Sequence, residues 1–368
     1  MAGVLVHEWI SQSGGSENVL QAMSEVYPDA DIVCLWNDST GRFAPERLRE
    51  SWLARSPLRR SKAAALPFMP ATWRRRKNLG YDWALISSHL FAHHVRFTPQ
   101  PFDFCRFVYV HTPARYIWAP DLDGRGQGRA ARTVAAALKP LDRRRAQQPA
   151  TYAANSDFVR RRMAEAWGVE AQVIYPPVDV SEIQRVDDWT TRLTGQESET
   201  MATLPDGYLL GASRFVPYKR LDLVIRAGEA AGRPVVLAGQ GPELPRLQAA
   251  AATATVPVRF VGRPSAALLR ALYQDAAIFA FPAIEDFGIM PVEAMAAGAP
   301  VLAQEMGGTA ESVVPGLTGA LCTFRSPGAM REGVEIALST ARAARVHHAR
   351  RFRAERFRQE IRAWVGAA

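Results

Sequence analysis

The chain has 368 residues, 48% of them hydrophobic, and a formal net charge of +9 at pH 7. This length suits two domains better than one core, and the hydrophobic fraction excludes intrinsic disorder for most of the chain. The longest apolar runs, such as VVLAG and FVYV, are strand-length and well short of the ~20 residues that cross a bilayer. We therefore expect no transmembrane helix.

The start of the chain and its cysteines predict a location. The sequence MAGVLVHEW has no basic segment ahead of a hydrophobic stretch, which argues against a signal peptide. Cys34, Cys105 and Cys322 are too far apart to suggest a disulfide framework or a zinc site. Both features predict a cytoplasmic protein.

The first half of the chain alternates strands with helices. An amphipathic helix from about Glu17 to Tyr27, with Ser16 as its expected N-cap, follows the first strand. A later helix is expected to start after Asn155 or Ser156 and to reach Gly168. The strands are predicted at residues 3–6, 31–36, 82–87, 104–110 and 150–156.

The second half repeats this alternation after a proline-containing linker, VIYPPVDV at 173–180. Six strand–helix steps predict a doubly wound domain. The last residues, ARRFRAERFRQEIRAWVGA, predict one long basic amphipathic helix. Strands without alternating polarity indicate parallel sheets covered on both faces, so the predicted fold class is α/β, with two Rossmann-like domains and a cleft between them.

Ligands of open parallel sheets bind beyond the carboxyl ends of the strands. After the first strand, Gly14 and Gly15 allow close backbone approach, and the helix N-terminus behind them favours an anion. The pattern is not G-x-G-x-x-G, and a simple turn is the alternative. His111 follows a buried strand in YVHTPAR. Its imidazole is suited to donate to, or accept from, a sugar hydroxyl or a developing charge, and a purely structural histidine is the alternative.

Two other groups are predicted to be structural. His93 and His94 are adjacent, so we expect them to point in different directions. The DLD sequence at 121–123 resembles a metal-binding carboxylate pair, but no strand precedes it. We therefore predict no metal site.

Two loops of the second half suit a phosphorylated, polyhydroxylated ligand. In GASRFVPYKRLD, Arg214 follows a strand and Lys219 is expected to start the next helix, which suits a diphosphate. A solvated surface pair is the alternative, but lysine is rare in this chain, with four among 45 cations. In EDFGIMPVE, Glu285 and Glu293 supply acceptors on either side of a turn that exposes backbone N–H groups; surface decoration is the alternative.

The same stretch, EDFGIMPVE, resembles the E-x7-E signature of family 4 of the retaining glycosyltransferases. RFVPYKRLD, LAGQGPE, RFVGR, EAMAAGAPVLA and GGTAESV follow in that family's order. VHEWISQSGGSENVL and VYVHTPARYIW resemble a bacterial branch described as mannosyltransferases of surface polysaccharide assembly. The resemblance covers roughly residues 3 to 325. Glu8, where aspartate is usual in that branch, departs from the pattern on the acceptor side.

This resemblance implies a GT-B fold of two facing domains. They would comprise an acceptor-binding domain at 1–178, onto which a C-terminal helix at about 350–368 packs back, and a nucleotide-sugar domain at 179–349. It also implies roles: Glu293 binds the ribose, Glu285 the transferred sugar, and Arg214 with Lys219 the diphosphate. The further implied donor-site residues are Gly14, Gly15, Phe287, Gly288, Ile289 and Met290, with Phe260 to Arg263 near the base and His111 near the reacting carbon.

The resemblance further implies the chemistry. Two cations and a helix N-terminus neutralise the leaving diphosphate, so no metal or cofactor is expected. The sugar transfer is retaining and needs no hydrolase-type carboxylate pair. The donor is a GDP-sugar such as GDP-mannose, ahead of UDP- or dTDP-sugars. The acceptor is a hydroxyl of a glycan, a lipid-linked molecule or a small molecule.

Between Trp52 and Lys77, arginines alternate with large apolar residues. This pattern predicts peripheral contact with an anionic membrane, and a helix pair packed on the core is the alternative. Two other functions fit the sequence less well. A NAD-dependent oxidoreductase is disfavoured because no G-x-G-x-x-G follows a strand. A nucleic-acid-binding protein is disfavoured because no recognised motif accompanies the positive charge.

Overall fold

The computed structural model describes residues 2–12, 14–120 and 128–367. The chain divides into two compact units. Unit 1 comprises Met1–Pro177 and Glu355–Ala368, and unit 2 comprises Val178–Ala354. Among the described residues, no helix combines the length and the hydropathy that crossing a bilayer requires.

Unit 1 is built on a seven-stranded parallel sheet with the strand order β3-β2-β1-β5-β7-β8-β9, and two short strands pair separately as β4-β6. The strands are β1 (Gly3–His7), β2 (Asp31–Cys34), β3 (Leu48–Glu50), β4 (Arg76–Lys77), β5 (Trp83–Ser88), β6 (Phe97–Thr98), β7 (Cys105–Val110), β8 (Thr151–Ala154) and β9 (Gln172–Val173). The helices are α1 (Gly15–Val26), α2 (Lys62–Ala65), α3 (Met69–Trp73), α4 (Arg115–Trp118), α5 (Arg129–Ala146) and α6 (Asp157–Trp167).

The central strands of unit 1 are apolar on both faces because helices or turns cover both. Val4 and Val6 pack into one core cluster, whereas Leu5, between them, packs into another. Alternate residues of a strand point to opposite faces, so one unbroken apolar run supplies two cores. The prediction of buried parallel strands is confirmed.

Unit 2 contains a six-stranded parallel sheet with the order β12-β11-β10-β13-β14-β15. All six predicted strands are present: β10 (Leu209–Ala212), β11 (Val235–Ala238), β12 (Val258–Val261), β13 (Ile278–Phe281), β14 (Val301–Gln304) and β15 (Gly319–Cys322). The helices are α7 (Val180–Arg185), α8 (Gly195–Ala202), α9 (Asp222–Ala231), α10 (Leu244–Thr253), α11 (Ala266–Asp275), α12 (Ile289–Ala297), α13 (Pro327–Leu338) and α14 (Arg342–Ala349).

Helix boundaries confirm one predicted cap and correct another. Ser156 Oγ accepts a hydrogen bond from the Val159 N–H at 3.0 Å, and Gly168, whose φ is 68°, is the C-cap of α6. The prediction for α1 was wrong. Its N-cap is Gly14, and Ser16 lies inside the helix.

The predicted single C-terminal helix is interrupted. After α14 comes a 3₁₀ turn, and Arg353 is extended before α15 (Ala354–Gly366) begins. The Phe352 carbonyl accepts a hydrogen bond from the Val178 N–H and is therefore not available to a continuous helix. In unit 1, Phe357 packs against Tyr109 with ring centroids 5.6 Å apart. Ile361 and Trp364 join the same core cluster.

Candidate functional site

The candidate site of unit 2 lies at the carboxyl ends of β10 and β13, which are adjacent and parallel. Lys219 and Glu285, which are far apart in the sequence, meet there. Lys219 Nζ lies 2.5 Å from Glu285 Oε1, and the two side chains are only 13% and 19% exposed. The structure thus brings together a predicted diphosphate-binding cation and a predicted sugar-binding carboxylate.

Lys219 is held by a short turn rather than by an α-helix. Pro217–Lys219 form a 3₁₀ turn, Arg220 is left-handed with φ at 51°, and α9 begins only at Asp222. The expectation that Lys219 starts the helix was therefore wrong. A proline fixes the backbone of this turn, so the lysine is positioned by rigid local structure.

Arg214 precedes this turn in the same loop and is exposed. Its guanidinium donates to the hydroxyl of Tyr218 at 2.9 Å, and Tyr218 is the neighbour of Lys219. Within the part of the chain that the structure describes, Arg214 has no carboxylate within salt-bridge distance. One loop therefore presents two cations, of which one is paired with an acidic residue and one is not.

The turn after β13 leads into the uncapped N-terminus of α12. Gly288 precedes the helix with φ at 89°, and no side chain caps it. The first N–H groups of a helix have no partner within the helix, so the amides of Ile289 and Met290 are suited to a ligand oxygen. The Phe287 side chain is buried and packs against Phe352, which leaves its backbone as the part suited to ligand contact.

Gly307 and Gly308 pack against the turn that carries Glu285. The Gly308 N–H donates to the Glu285 carbonyl at 2.8 Å. A Cβ at Gly308 would lie 1.9 Å from the Asp286 carbonyl oxygen, and one at Gly288 would lie 2.3 Å from Thr309 Oγ1. Gly308 and Gly288 are therefore required for the close packing of this turn against residues 308–309.

Glu293 lies on α12, partly exposed, and forms no hydrogen bond with any residue that the structure describes. Burial raises its pKa to about 7, Arg270 lowers it and Asp179 raises it further. Arg270 is paired with Glu182 at 2.6 Å. Glu293 is thus a carboxyl group poised to change charge near neutral pH, without an internal partner.

The loop after β11 lies in the motif LAGQGPE, whose residues are not among the predicted site residues. Gly239 and Gly241 have φ angles of 146° and 155°. A Cβ at Gly239 would lie 1.9 Å from the Ser213 carbonyl oxygen, and the Phe215 N–H donates to the Gln240 carbonyl at 2.8 Å. This loop is therefore joined to the one that carries Arg214. A glycine-x-glycine pattern directly after a strand is the signal that would have identified it.

Arg263, predicted near the base, follows β12 and is exposed. Val261 and Gly262 before it accept hydrogen bonds from the Gly239 N–H through their carbonyls, both at 3.0 Å. The loops after β10, β11 and β12 are therefore linked by backbone hydrogen bonds. Arg263 remains a predicted site residue at the end of this series.

In unit 1, the predicted anion site at the start of α1 holds an internal carboxylate. Glu17 accepts hydrogen bonds from the Ser11 N–H at 3.0 Å and from Ser16 Oγ at 2.9 Å. A Cβ at Gly14 would lie 2.2 Å from Glu17 Oε2. The negative charge that the helix N-terminus favours is thus supplied by the chain itself. Gly14 and Gly15 stay predicted donor-binding residues.

His111 follows β7, as expected, and is partly exposed. Its Nε2 lies 2.8 Å from Ser87 Oγ, and Ser87 Oγ lies 3.0 Å from His7 Nδ1. Burial lowers the pKa of His111 to about 3. His7 lowers this pKa further, whereas Glu17 raises it. The ring is therefore neutral at physiological pH.

His93 and His94 correct a prediction, because both rings reach the same carboxylate. They lie in a 3₁₀ turn, Ala92–His94, where adjacent side chains diverge less than in a strand. His94 Nε2 donates to Asp142 Oδ1 at 2.9 Å, and His93 Nε2 lies 3.1 Å from the same oxygen.

The other oxygen of Asp142 is also occupied. Oδ2 accepts from the indoles of Trp118 and Trp167, both at 2.7 Å. Burial alone would raise the pKa of Asp142, but the imidazoles outweigh it and keep that pKa below its ordinary value. The ligand atoms of this trio lie close enough to hold a metal ion, yet hydrogen bonds from His94, Trp118 and Trp167 already explain the carboxylate as a structural group. The DLD sequence at 121–123 lies outside the described residues.

Glu8 is fully buried and accepts hydrogen bonds from backbone N–H groups. Its Oε1 accepts from the N–H groups of Leu90 and Ala92 at 2.9 and 2.6 Å. Burial raises its pKa to about 7, although these amides oppose the shift. The longer side chain at position 8 thus holds the loop after β5.

The basic segment 52–77 consists of short helices and 3₁₀ turns and ends in β4. Leu53, Met69 and Trp73 are buried in the core of unit 1, as the alternative interpretation predicts. Trp52 and Phe68 are 54% and 46% exposed, and their rings meet edge to face at 6.2 Å. The segment therefore has one face in the core and an aromatic pair at the surface.

The sequence of the chain is similar to that of known glycosyltransferases. Residues 202–354 match the family model "Glycosyl transferases group 1". The chain is 31% identical over 204 residues to a GDP-mannose-dependent alpha-(1-6)-phosphatidylinositol monomannoside mannosyltransferase of Mycolicibacterium smegmatis, covering 51% of this chain and 53% of that protein. It is 29% identical to D-inositol 3-phosphate glycosyltransferase 2 of Catenulispora acidiphila, covering 48% and 44%. The chain spans about half the length of these curated relatives.

Solved structures match over the whole chain. Anabaena Alr3699/HepE in complex with UDP-glucose has a TM-score of 0.69 at 18% identity, with 100% of both chains covered. Sucrose-phosphate synthase from Thermosynechococcus elongatus has a TM-score of 0.70 at 15% identity, also with 100% of both covered. The fold is GT-B, and residues 202–354 are similar in sequence to the group 1 glycosyltransferases.

Proposed function

We propose that the protein is a retaining, metal-independent glycosyltransferase of family 4. It would transfer a hexose from a nucleotide-diphosphate sugar to a hydroxyl of a glycan, lipid-linked or small-molecule acceptor. Mannose is the favoured hexose. The observation that carries this proposal is the Lys219–Glu285 pair beside the uncapped N-terminus of α12. The mannosyltransferase names of the relatives and the UDP-glucose bound to a structural neighbour support it.

In this proposal the donor is held by charge and by backbone. Lys219 and Arg214 take the diphosphate, and the amides of Ile289 and Met290 add hydrogen bonds from the helix N-terminus. Glu293 accepts from the ribose, and Glu285 accepts from the transferred sugar. These fixed donors neutralise the leaving group without reorganising, which is the largest source of catalysis in such sites.

Binding of nucleoside diphosphates tests the proposal. We expect the melting temperature to rise with GDP, less with UDP or dTDP, and not with NAD or duplex DNA, since ligands that bind only the native state stabilise it. Stabilisation by NAD or DNA but by no nucleoside diphosphate would reject the proposal. Mass analysis of products from a donor panel with lipid and small-molecule acceptors then identifies the acceptor class.

Glu293→Gln sharpens this test. It removes a charged acceptor from the ribose and is expected to weaken GDP binding by about 1.5 to 3 kcal/mol. Because ribose hydroxyls favour the charged carboxylate, binding lowers a pKa that is about 7 in the free protein. GDP should therefore bind more tightly at pH 8 than at pH 6, and the glutamine variant should show a smaller difference, due only to ionisation of the terminal phosphate at about pH 6.

We also propose peripheral contact with anionic membranes through the segment 52–77, supported by the exposed Trp52–Phe68 pair beside exposed arginines. At low salt the protein is expected to sediment with vesicles that contain anionic lipid. Replacing Arg55 and Arg60 together with glutamine should weaken this binding by roughly 2 kcal/mol, at ~1 kcal/mol per cation.

The matched control removes two exposed arginines of unit 2, with Arg226→Gln and Arg259→Gln. It lowers the net charge by the same amount and should leave vesicle binding nearly unchanged. Equal sedimentation with neutral and anionic vesicles would refute the proposed contact.

A further inference from the structure

Three neighbouring strands of unit 1 end in a chain of hydrogen-bonding side chains. β1 pairs with β5, and β5 pairs with β7, so their carboxyl ends lie side by side. His7 closes β1, Ser87 lies near the end of β5, and His111 follows β7. Ser87 Oγ is 3.0 Å from His7 Nδ1 and 2.8 Å from His111 Nε2.

A serine hydroxyl has one proton, which couples the two rings. If Ser87 donates to His7, it must accept from a protonated Nε2 of His111. If Ser87 donates to His111 Nε2, it must accept from a protonated Nδ1 of His7. A neutral imidazole carries its proton on one nitrogen only, so each arrangement fixes both tautomers.

The environment of His7 selects between these arrangements. His7 is completely buried, and its Nε2 has no hydrogen-bond partner in the described part of the chain. A buried N–H without an acceptor is rarer in proteins than an underused acceptor. The proton of His7 therefore belongs on Nδ1, where Ser87 accepts it.

We propose that His7 and Ser87 are positioning residues that fix His111 as the tautomer with its proton on Nδ1. Ser87 then donates to His111 Nε2, and Nδ1–H is the group offered to a ligand. His111 Nδ1 forms no hydrogen bond with any described residue. This inference rests on the proposed function for the ligand, which is a substrate oxygen. His111 thus acts there as a hydrogen-bond donor and not as a base.

The surroundings keep both rings neutral, as the arrangement requires. Burial lowers the pKa of His7 to about 3, and Arg42 lowers it further while Ser87 raises it. His89 faces both rings, with ring centroids 5.6 Å from His7 and 6.2 Å from His111. Burial likewise holds the pKa of His89 well below its ordinary value.

Histidine tautomers are read directly by long-range ¹H–¹⁵N NMR of protein labelled with ¹⁵N-histidine, without any substrate. The chain has seven histidines, and His7→Leu and His111→Gln assign the two signals. We expect the wild type to show a protonated Nδ1 and a bare Nε2 in both rings. A protonated Nε2 in His111 would overturn the inference.

Two variants of neighbouring serines give the matched comparison. Ser87→Ala removes the hydroxyl that bonds His111, and should shift His111 toward a mixture of tautomers. Ser88→Ala removes a buried hydroxyl from the same strand that bonds His93 instead, and should leave the His111 signal as it is. His7→Asn keeps a donor near the Nδ1 position and should preserve the His111 tautomer, whereas His7→Leu should not. An unchanged His111 signal in Ser87→Ala would refute the proposal that Ser87 fixes the His111 tautomer.

Turnover gives a second reading that depends on the proposed function. Ser87→Ala is expected to lower kcat about tenfold, the loss of one hydrogen bond made to the substrate, with little change in GDP affinity. Ser88→Ala should stay near the wild type. If the tautomers are as expected but no nucleotide binds, the proposed function is wrong and the positioning role of His7 and Ser87 is still supported. If GDP binds but the tautomers are reversed, only the positioning role is wrong.

Discussion

Unit 1 is expected to lose several kcal/mol of stability when the pH falls from 7 to 5. Four of its histidines are held neutral, because burial lowers the pKa to about 3 for His7, His94 and His111, and well below its ordinary value for His89. In the unfolded chain each ring titrates near 6.5. Their contribution is therefore fully present above pH 6.5 and is lost as the pH falls toward the folded pKa.

Glu8 works in the opposite direction. Its pKa is raised to about 7 from an ordinary value of 4.5, so between these values the folded protein holds a proton that the unfolded chain does not. Four histidines against one glutamate leave a difference of about three protons. At ~1.4 kcal/mol per proton and pH unit, the slope is about 4 kcal/mol per pH unit. This is an upper limit, and it is large beside a typical total stability of 5 to 15 kcal/mol.

Urea unfolding followed by tryptophan fluorescence measures this slope for unit 1. Eight of the nine tryptophans belong to unit 1, and only Trp189 belongs to unit 2. His94→Gln keeps a donor for Asp142 but cannot be protonated, so the slope should fall by about 1.4 kcal/mol per pH unit. His347→Gln removes an exposed histidine of unit 2 and serves as the control. Equal unfolding midpoints at pH 7.5 and pH 5 would contradict the expectation.

Lys219→Met is expected to reduce sugar transfer by roughly 10²- to 10³-fold, the usual cost of removing a donor that stabilises developing charge. Two effects combine. The diphosphate loses a cation, and Glu285 loses the ammonium that lies 2.5 Å away while an incoming anion approaches it. Like charges at such a distance oppose binding.

A double-mutant cycle separates these effects. If Glu285 repels the diphosphate once Lys219 is gone, Lys219→Met with Glu285→Gln should bind GDP better than Lys219→Met alone, by about 0.5 to 3 kcal/mol. Turnover should stay low in the double variant because the sugar contact is also lost. Arg226→Met, at an exposed cation on α9 of unit 2, is the control. Activity and GDP affinity within about twofold of wild type in Lys219→Met would refute the assigned role.

The sequence predicted the parallel architecture because buried strands leave a strong local signal. Strands such as Ile278–Phe281 are apolar on every residue, and the six of unit 2 were all located. β3 was missed because Leu48–Glu50 is a short, partly polar edge strand. Local pattern also could not place the break at Arg353, because the Phe352 carbonyl before it accepts from the Val178 N–H, which is far away in the sequence.

The candidate site was predicted unevenly for similar reasons. The Lys219–Glu285 contact follows from the rule that adjacent parallel strands bring their carboxyl ends together. The His7–Ser87–His111 chain was not foreseen, because it depends on strand register. His7 and Ser87 are opposite each other in the β1–β5 ladder, and no periodicity specifies that pairing. The shared carboxylate of His93 and His94 likewise depends on a local 3₁₀ turn.

The division of the chain has a consequence for biosynthesis. Unit 1 needs Phe357, Ile361 and Trp364 for its core, and the ribosome adds these after the whole of unit 2. Multidomain chains generally fold their N-terminal domain first during translation. Here all residues of unit 2 are synthesised before unit 1 is complete. Until the last helix is made, Phe107 and Tyr109 of unit 1 lack their packing partners Trp364 and Phe357.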